Sequence, residues 1–437
     1  MNDLILLSIE LDFSSPYLKI IVASMIVVLS YFFGIISERT SFPSVLLLIL
    51  LGILLKLGLD YLDPSLFENL DLMPALELFG IVGLIMIVLE AALDLELTKE
   101  KLPFIAKSLL IALCALVGSV FLVGSIINYF LPLSFLLSLL YATPLCIISS
   151  AIVIPSVSKL SPLKKEFMVY ESTFSDVLGI MIFYFLISFM ESGGTQAAFE
   201  FGTSLILTIL VGVVASYVLI YFFKDLKGHS KLFLLISILL LLYAIGKLLH
   251  LSPLLIILIF GMGLANHHIF FKVFKNELTA GDPIEKIEKD FHLLTLETAF
   301  LVRTFFFVIF GMTISLSSLV NLNVFIISAV ILGALYIIRF ITLRIFLGKS
   351  IVPELWISPR GLITILLFFA IPPAYKVSEF DPGILLYVII ISSLVMTFSL
   401  INDSRKHTTE IETAPSNAST DDDDPIDTIE KPNPPVI

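Results

Sequence analysis

Residues 170–176, Tyr-Glu-Ser-Thr-Phe-Ser-Asp, set two carboxylates, Glu171 and Asp176, among hydroxyls at the start of a long apolar run. Such oxygens suit hard cations, and a carboxylate also takes up protons. At about 100° per residue, Ser172 and Asp176 share one helical stripe and Glu171 and Ser175 another, while Glu171 and Asp176 diverge by roughly 140°. Ser172 and Asp176 can therefore offer oxygens to one cation, whereas Glu171 needs a basic partner from elsewhere. The candidate partner is Arg360 in Ile-Ser-Pro-Arg-Gly-Leu, whose guanidinium cannot shed its charge and whose neighbours Pro359 and Gly361 predict a broken helix. A second break is predicted in residues 141–157, where Thr143, Pro144, Ser149, Ser150 and Pro155 interrupt an apolar run. Glu90, in Ile-Val-Leu-Glu-Ala-Ala-Leu-Asp-Leu, falls inside another run, and Asp94 one turn later reads as a solvated helix end. Arg303 and Arg339 lie deep in two further runs, where each is expected to pair with an acid or with helix-end carbonyls. The His267–His268 pair has no carboxylate or cysteine at ligand spacing, so no metal is expected beyond a transported cation.

The elements that hold these residues are apolar. The chain has 437 residues, 58% hydrophobic and 14% charged, against roughly 45–50% apolar usage in soluble domains. A helix needs about 20 apolar residues to cross the hydrocarbon. Thirteen such runs are predicted, near residues 18–36, 43–59, 74–93, 104–129, 134–157, 166–190, 201–223, 231–249, 252–271, 294–318, 323–346, 353–375 and 383–401. The chain is thus an all-α polytopic membrane protein, residues 1–401 forming its transmembrane part. Asp176 stands about ten residues into the sixth run, or roughly 15 Å into a ~30 Å core. An ionised carboxylate there costs at least ~2.5–3.5 kcal/mol, so such residues mark ion or proton routes. Two helices broken at mid-membrane, seven apart, are the construction by which secondary transporters aim half-helix ends at a central site.

Lysines and arginines gather in alternate joints, among them Arg39, Lys99, Lys101, Lys164, Lys165 and Lys349, while Asp60, Glu191, Glu200 and Glu379 occupy the opposite ones. Positive-inside places the N-terminus outside and the C-terminus in the cytoplasm, as an odd number of spans requires. Residues 402–437 are polar, Pro-rich and acidic, and are expected to form a disordered cytoplasmic tail that supplies much of the net charge of -11. Cys114 and Cys146 fall inside spans, where no disulfide framework is expected. Compact joints and an N-terminus without a basic signal-like region point to a prokaryotic plasma membrane. Neither a phosphate-cradling glycine motif, a nucleophile elbow nor a zinc signature is present, which argues against an ATP-driven pump or an intramembrane hydrolase; no cofactor and no nucleic-acid partner are expected.

The Glu171–Asp176 stretch resembles the Glu-Ser-x-x-Asn-Asp motif of the cation:proton antiporter superfamily, on its electroneutral sodium/proton exchanger branch. Ser-Pro-Arg-Gly at 358–361 is similar to that branch's late Arg-Gly motif, Leu-Glu-Ala-Ala-Leu at 89–93 to its third-helix motif, and Phe-Phe-Phe-Val-Ile-Phe-Gly-Met at 305–312 to its aromatic-glycine signature. The resemblance covers about residues 18–401 and implies an inverted-repeat fold with two crossing broken helices, core and dimerisation subdomains, a homodimer, and alternating access. It gives Asp176 the role of the cation- and proton-binding aspartate, with Ser172 and Glu90 assisting, pairs Glu171 with Arg360, and matches Arg339 to a basic position before the Arg-Gly motif. Ser175 departs from the motif's Asn, and the fifth-helix Thr-Asp-Pro is replaced by Ile-Ser-Ser-Ala, leaving Ser149, Ser150 and carbonyls to coordinate there.

The expected activity is exchange of a monovalent cation, Na+ before K+, for H+, the two competing at Asp176 in a membrane-lipid setting. Neutral Ser175 beside Asp176 points to one-for-one electroneutral exchange. The alternatives are an organic-anion symporter that binds substrate through Arg303 or Arg339, and a non-transporting sensor or scaffold that works through the acidic tail.

Overall fold

A computed structural model describes residues 16–40, 42–62, 72–95, 98, 100–223, 231–249, 251–266, 283–314 and 320–413. Among them run fourteen α-helices: α1 (Pro16–Thr40), α2 (Ser44–Leu62), α3 (Met73–Leu93), α4 (Leu102–Phe130), α5 (Phe135–Cys146), α6 (Ser150–Ser156), α7 (Pro162–Ser192), α8 (Gly194–Phe223), α9 (Lys231–Leu248), α10 (Pro253–Ala265), α11 (Pro283–Thr313), α12 (Leu322–Leu347), α13 (Leu362–Phe369) and α14 (Gly383–Thr413). Because α5 and α6 are halves of one interrupted span, these helices correspond to the thirteen predicted runs. Ten spans are long and apolar enough to cross a membrane, and Phe233–Leu248 and Pro253–Ala265 are shorter apolar helices. Helices α9 and α10 are separate, as the joint near His250 predicts. Residues 1–15 and the His267–His268 pair, for which the sequence carries expectations, lie outside the described residues. So does most of the predicted tail, although α14 itself continues to Thr413, beyond the end of the apolar pattern near residue 401.

The helices sort into two packing groups. One is built on α3, which lies against α10 and α11; α2 packs on α11, α8 and α9 pack on α10, and α1 borders α2 and α11. The other joins α4, α5, α6, α7, α12, α13 and α14, with α4 against α5, α7 and α12, and α12 against α14. In chain order the second group holds spans four to six and eleven to thirteen, each triplet with a broken helix in its middle. That repetition is the inverted-repeat pattern expected of a broken-helix transporter. The groups meet chiefly where α3 touches α6, α7 and α13 and where α7 touches α8.

Burial follows position. The α5–α6 span is the most enclosed, whereas α1 and α8 expose Ile20, Ile21, Met25, Ile206 and Leu210, as helices facing acyl chains or another apolar surface do. Helices α2 and α11 approach backbone to backbone. A Cβ on Gly52 would stand 2.1 Å from the Val308 carbonyl oxygen, and one on Gly311 2.3 Å from that of Ile49. Small residues permit such approaches where apolar burial gives no drive between helices. Gly52→Val should therefore force α2 off α11 and cost roughly 1–3 kcal/mol, read as a lowered thermal midpoint in detergent. An unchanged midpoint would mean that the crossing does not depend on this contact.

Candidate ion-binding site

Both predicted breaks are present, and they cross. Helix α5 stops at Cys146, residues 147–149 are unwound with Ile147 and Ser149 extended, and α6 starts at Ser150. The twelfth span is unwound from 357 to 361 before α13 begins at Leu362. At the crossing the Ser149 amide donates to the Pro359 carbonyl at 2.9 Å. The strands can meet this closely because residue 361 is glycine: a Cβ there would stand 2.7 Å from Ser149 Oγ. This is the structural content of the Pro-Arg-Gly motif.

Each arginine expected at depth donates to backbone carbonyls beside one of the breaks. Arg360 donates from Nε to the Leu145 carbonyl at 3.0 Å and from Nη2 to that of Cys146 at 3.3 Å. It thus caps the C-terminal end of α5 with positive charge, where helix carbonyls leave partial negative charge. Its Nη1 contacts the carbonyl and hydroxyl of Ser358, and its amide donates to Ser392 Oγ at 3.1 Å. Arg339, on the continuous helix α12, donates from Nε to the carbonyls of Glu354 and Leu355, at 3.1 Å each, and from Nη2 to those of Glu354 (2.8 Å) and Ile357 (3.1 Å). The Leu355 carbonyl is open because the residue four positions on is Pro359, which has no N–H.

Arg339 also completes a bidentate ion pair with Glu171, Nη1 to Oε1 at 2.8 Å and Nη2 to Oε2 at 2.9 Å, with both residues buried. Here the structure corrects the expected pairing, since Glu171 is held by Arg339 and not by Arg360. The reason is the break itself: unwinding at 357–361 delivers the Arg360 guanidinium to the end of α5, leaving Glu171 to the arginine of the adjacent unbroken helix. The planar fork of arginine matches two carboxylate oxygens, the geometry in which a buried ion pair is best satisfied.

Asp176 lies one residue from the midpoint of α7 and is fully buried. Its Oδ2 accepts from the Ser150 amide at 3.2 Å and from the Ser150 hydroxyl. Its Oδ1 is buried with no hydrogen-bond partner. Ser175 Oγ accepts from the Ile148 amide at 3.0 Å, tying α7 to the unwound residues between α5 and α6. The Ser149 hydroxyl, beside Gly361, is also buried and unpartnered, as is that of Thr173, one turn before Asp176. Asp176, Ser150, Ser175 and Ser149 thus gather around the first break. Ser172 is buried nearby on α7, but its hydroxyl donates to its own helix, to the Val169 carbonyl at 3.2 Å, rather than to Asp176.

Glu90 is buried on α3, with Arg303, Asp94 and His292 as the charged groups that act on it. Asp94 and His292 sit 3.2 Å apart at a partly exposed helix end, as the solvated reading of Asp94 anticipates. Arg303 Nη1 donates to the Ala151 carbonyl in the first turn of α6 at 3.0 Å.

Two participants escaped sequence reasoning. Glu354 is buried in the turn before the second break, its carbonyl on Arg339 and its Oε2 3.4 Å from Lys164 Nζ. Lys164 also donates to the Val352 carbonyl at 2.7 Å. Ser392 holds the Arg360 amide from within α14. The available signals were an acid and a lone pair of serines, Ser392–Ser393, in otherwise apolar stretches.

The sodium/hydrogen exchanger transmembrane family matches residues 25–402 of this chain. Two structures of the sodium proton antiporter MjNhaP1 from Methanocaldococcus jannaschii share the fold. One, at pH 8, has a TM-score of 0.65 and 20% identity over 90% of this chain and 98% of that one. The other, an electron-microscopy map, has a TM-score of 0.64 and 19% identity over 93% of this chain and 100% of that one. Among curated protein sequences none matches. With the family covering almost all of the helical region and the antiporter fold built around paired breaks, the chain belongs to the sodium/hydrogen exchanger family, a multi-span cation/proton exchanger and not an enzyme.

Proposed function

We propose that the protein exchanges Na+ for H+ one for one, with both ions binding in turn at Asp176. The observation that carries this reading is the asymmetry of that carboxylate: Oδ2 is held by Ser150, while Oδ1 is buried and unpartnered. A buried acceptor without a partner is costly, and a proton or a dehydrated cation at Oδ1 removes the cost. Ser149 Oγ, Thr173 Oγ1 and the backbone carbonyls of Ile147 and Ile148 are the further oxygens that would serve a cation. Oxygen ligands suit Na+, Li+ and K+ alike, and the smaller ions fit better where helices are this tightly crossed.

A proton and a cation cannot share the same oxygen, so occupancy by one excludes the other, and this exclusion is the coupling. Turnover then requires the loaded site to face each side of the membrane in turn. The sparse seam between the two helix groups, concentrated on α3 and α7, supports movement of the Asp176 group as a unit past the α3 group. With Glu171 neutralised by Arg339 and Ser175 uncharged, Asp176 is the carboxylate whose charge changes, which supports electroneutral exchange. The reading includes an outside N-terminus, a cytoplasmic C-terminus, a plasma membrane and a homodimer. Lys101 and Lys164 lie at one end of the helices, close to the Glu166 and Glu354 carboxylates respectively, which supports that sidedness. The anion-symporter alternative requires an arginine free of competing carboxylates, whereas Arg339 is engaged by Glu171 and Arg303 lies in the field of Glu90.

The test is proton movement in everted membrane vesicles on addition of Na+, Li+ or K+. Na+ and Li+ should dissipate an imposed pH gradient faster than K+, and clamping the membrane potential should leave the rate unchanged. A rate that follows the potential would contradict one-for-one exchange, and the absence of any cation effect with protein confirmed in the membrane would contradict the whole reading.

A further inference from the structure

Helix α6 is only Ser150–Ser156, and Pro155 lies inside it. Proline has no N–H to give to the carbonyl four residues earlier, and that carbonyl belongs to Ala151, the residue next to Ser150. Arg303 Nη1 stands 3.0 Å from this oxygen. The guanidinium comes from α11, in the other helix group, and crosses the seam to reach α6. We propose that Arg303 is a positioning residue for the cation site: it supplies the donor that Pro155 withholds from Ala151 and thereby fixes the first turn of α6, whose Ser150 amide and hydroxyl hold Asp176.

Two further features are consistent with this role. Ser150 contributes both of its donors to one carboxylate oxygen, so a small rotation of the first turn of α6 misplaces two hydrogen bonds together. The other two deep arginines also satisfy carbonyls at breaks, Arg360 at the end of α5 and Arg339 before α13. Arg303 differs from them in reaching across the seam between the groups, so its bond to Ala151 must be broken or carried along whenever the groups shift. The arginine also lies in the field of Glu90, and the experiment separates this charge relation from the carbonyl bond.

The inference rests on Asp176 as the cation site. It is tested in proteoliposomes of the full chain with Na+ as the probe ion, measuring half-saturating Na+ and maximal rate separately for wild type, Arg303→Met, Pro155→Ala and the double variant, with Asp176→Asn as the control. Exchange that persists in Asp176→Asn refutes the underlying reading whatever Arg303 does. With that control silent, Arg303→Met should raise half-saturating Na+ roughly tenfold, the order expected for a lost charge-assisted hydrogen bond, with a smaller change in maximal rate. Pro155→Ala restores a backbone N–H at the position that serves Ala151. In the Arg303→Met background it should bring half-saturating Na+ back to within about twofold of wild type. An unaltered half-saturation in Arg303→Met, or a double variant as impaired as the single one, would overturn the proposal, and recovery by Glu90→Gln in place of Pro155→Ala would reassign the arginine to charge balance. If Arg303→Met does not accumulate as folded protein, the double variant should, and its failure to do so is equally decisive against the proposal.

Discussion

Asp176→Asn should abolish sodium-driven proton movement, with a loss of more than about a hundredfold, and should leave the protein folded. The amide keeps the size of the carboxyl group and its oxygen can still accept from Ser150, so packing at the middle of α7 is preserved. What disappears is the negative charge, and with it both the site's capacity to take up a proton and the attraction that offsets dehydration of a cation in the membrane. A neutral amide is also cheaper to bury than an ionised carboxylate, so the thermal midpoint should be unchanged or raised. The assay is exchange in proteoliposomes at matched protein content, with size-exclusion behaviour and thermal midpoint as fold controls. Residual exchange near the wild-type rate would move the transported ions to another carboxylate, of which buried Glu90 is the nearest in kind.

Glu171→Gln should have the opposite signature, a large loss of stability. Removing one partner of a buried ion pair costs about 3–5 kcal/mol, because the other charge stays behind uncompensated. Here the abandoned guanidinium would be Arg339, which also secures the Glu354, Leu355 and Ile357 carbonyls before the second break. Glu171→Gln should therefore loosen the unwound segment together with α7, lowering the thermal midpoint and the yield of monodisperse protein. Arg339→Met alone should be similarly damaging. The double change should recover much of the loss on the ion pair, giving a large coupling energy in a double-mutant cycle. The corresponding cycle between Glu171 and Arg360 should give a small one, since Arg360 is held by Leu145, Cys146 and Ser358. Equal coupling in the two cycles would contradict the pairing.

Much of this architecture could be read before any coordinates. Apolar run length locates the spans, proline with hydroxyl residues the first break and proline with glycine the second, because these are local consequences of backbone chemistry. Asp176 was legible for the same reason, as a carboxylate at mid-span in an unbroken helix. The partner of Glu171 was not. Helical phase says that Glu171 turns away from Asp176, but it does not say which of several deep arginines the tertiary crossing brings to it. Phase also overstated Ser172, which shares the Asp176 stripe yet spends its hydroxyl on Val169. The contact between Ser150 and Asp176 depends on where the unwound residues 147–149 cross 357–361, a long-range property absent from either motif. Glu354 gives no signal beyond an acid at the start of the 353–375 run, because its burial arises only once the turn before α13 folds under α12 and beside Lys164.

The central claim is that Na+ and H+ exclude each other at one carboxylate, and its most direct measure is the half-saturating Na+ concentration as a function of pH at zero membrane potential. Linkage requires that one cation displacing one proton raise the half-saturating concentration about tenfold for each pH unit on the acid side and level off on the alkaline side, while the rate at saturating Na+ stays constant on the acid side. A half-saturating concentration that does not move with pH, or a maximal rate that collapses with acid while half-saturation holds, would contradict a shared site at Asp176.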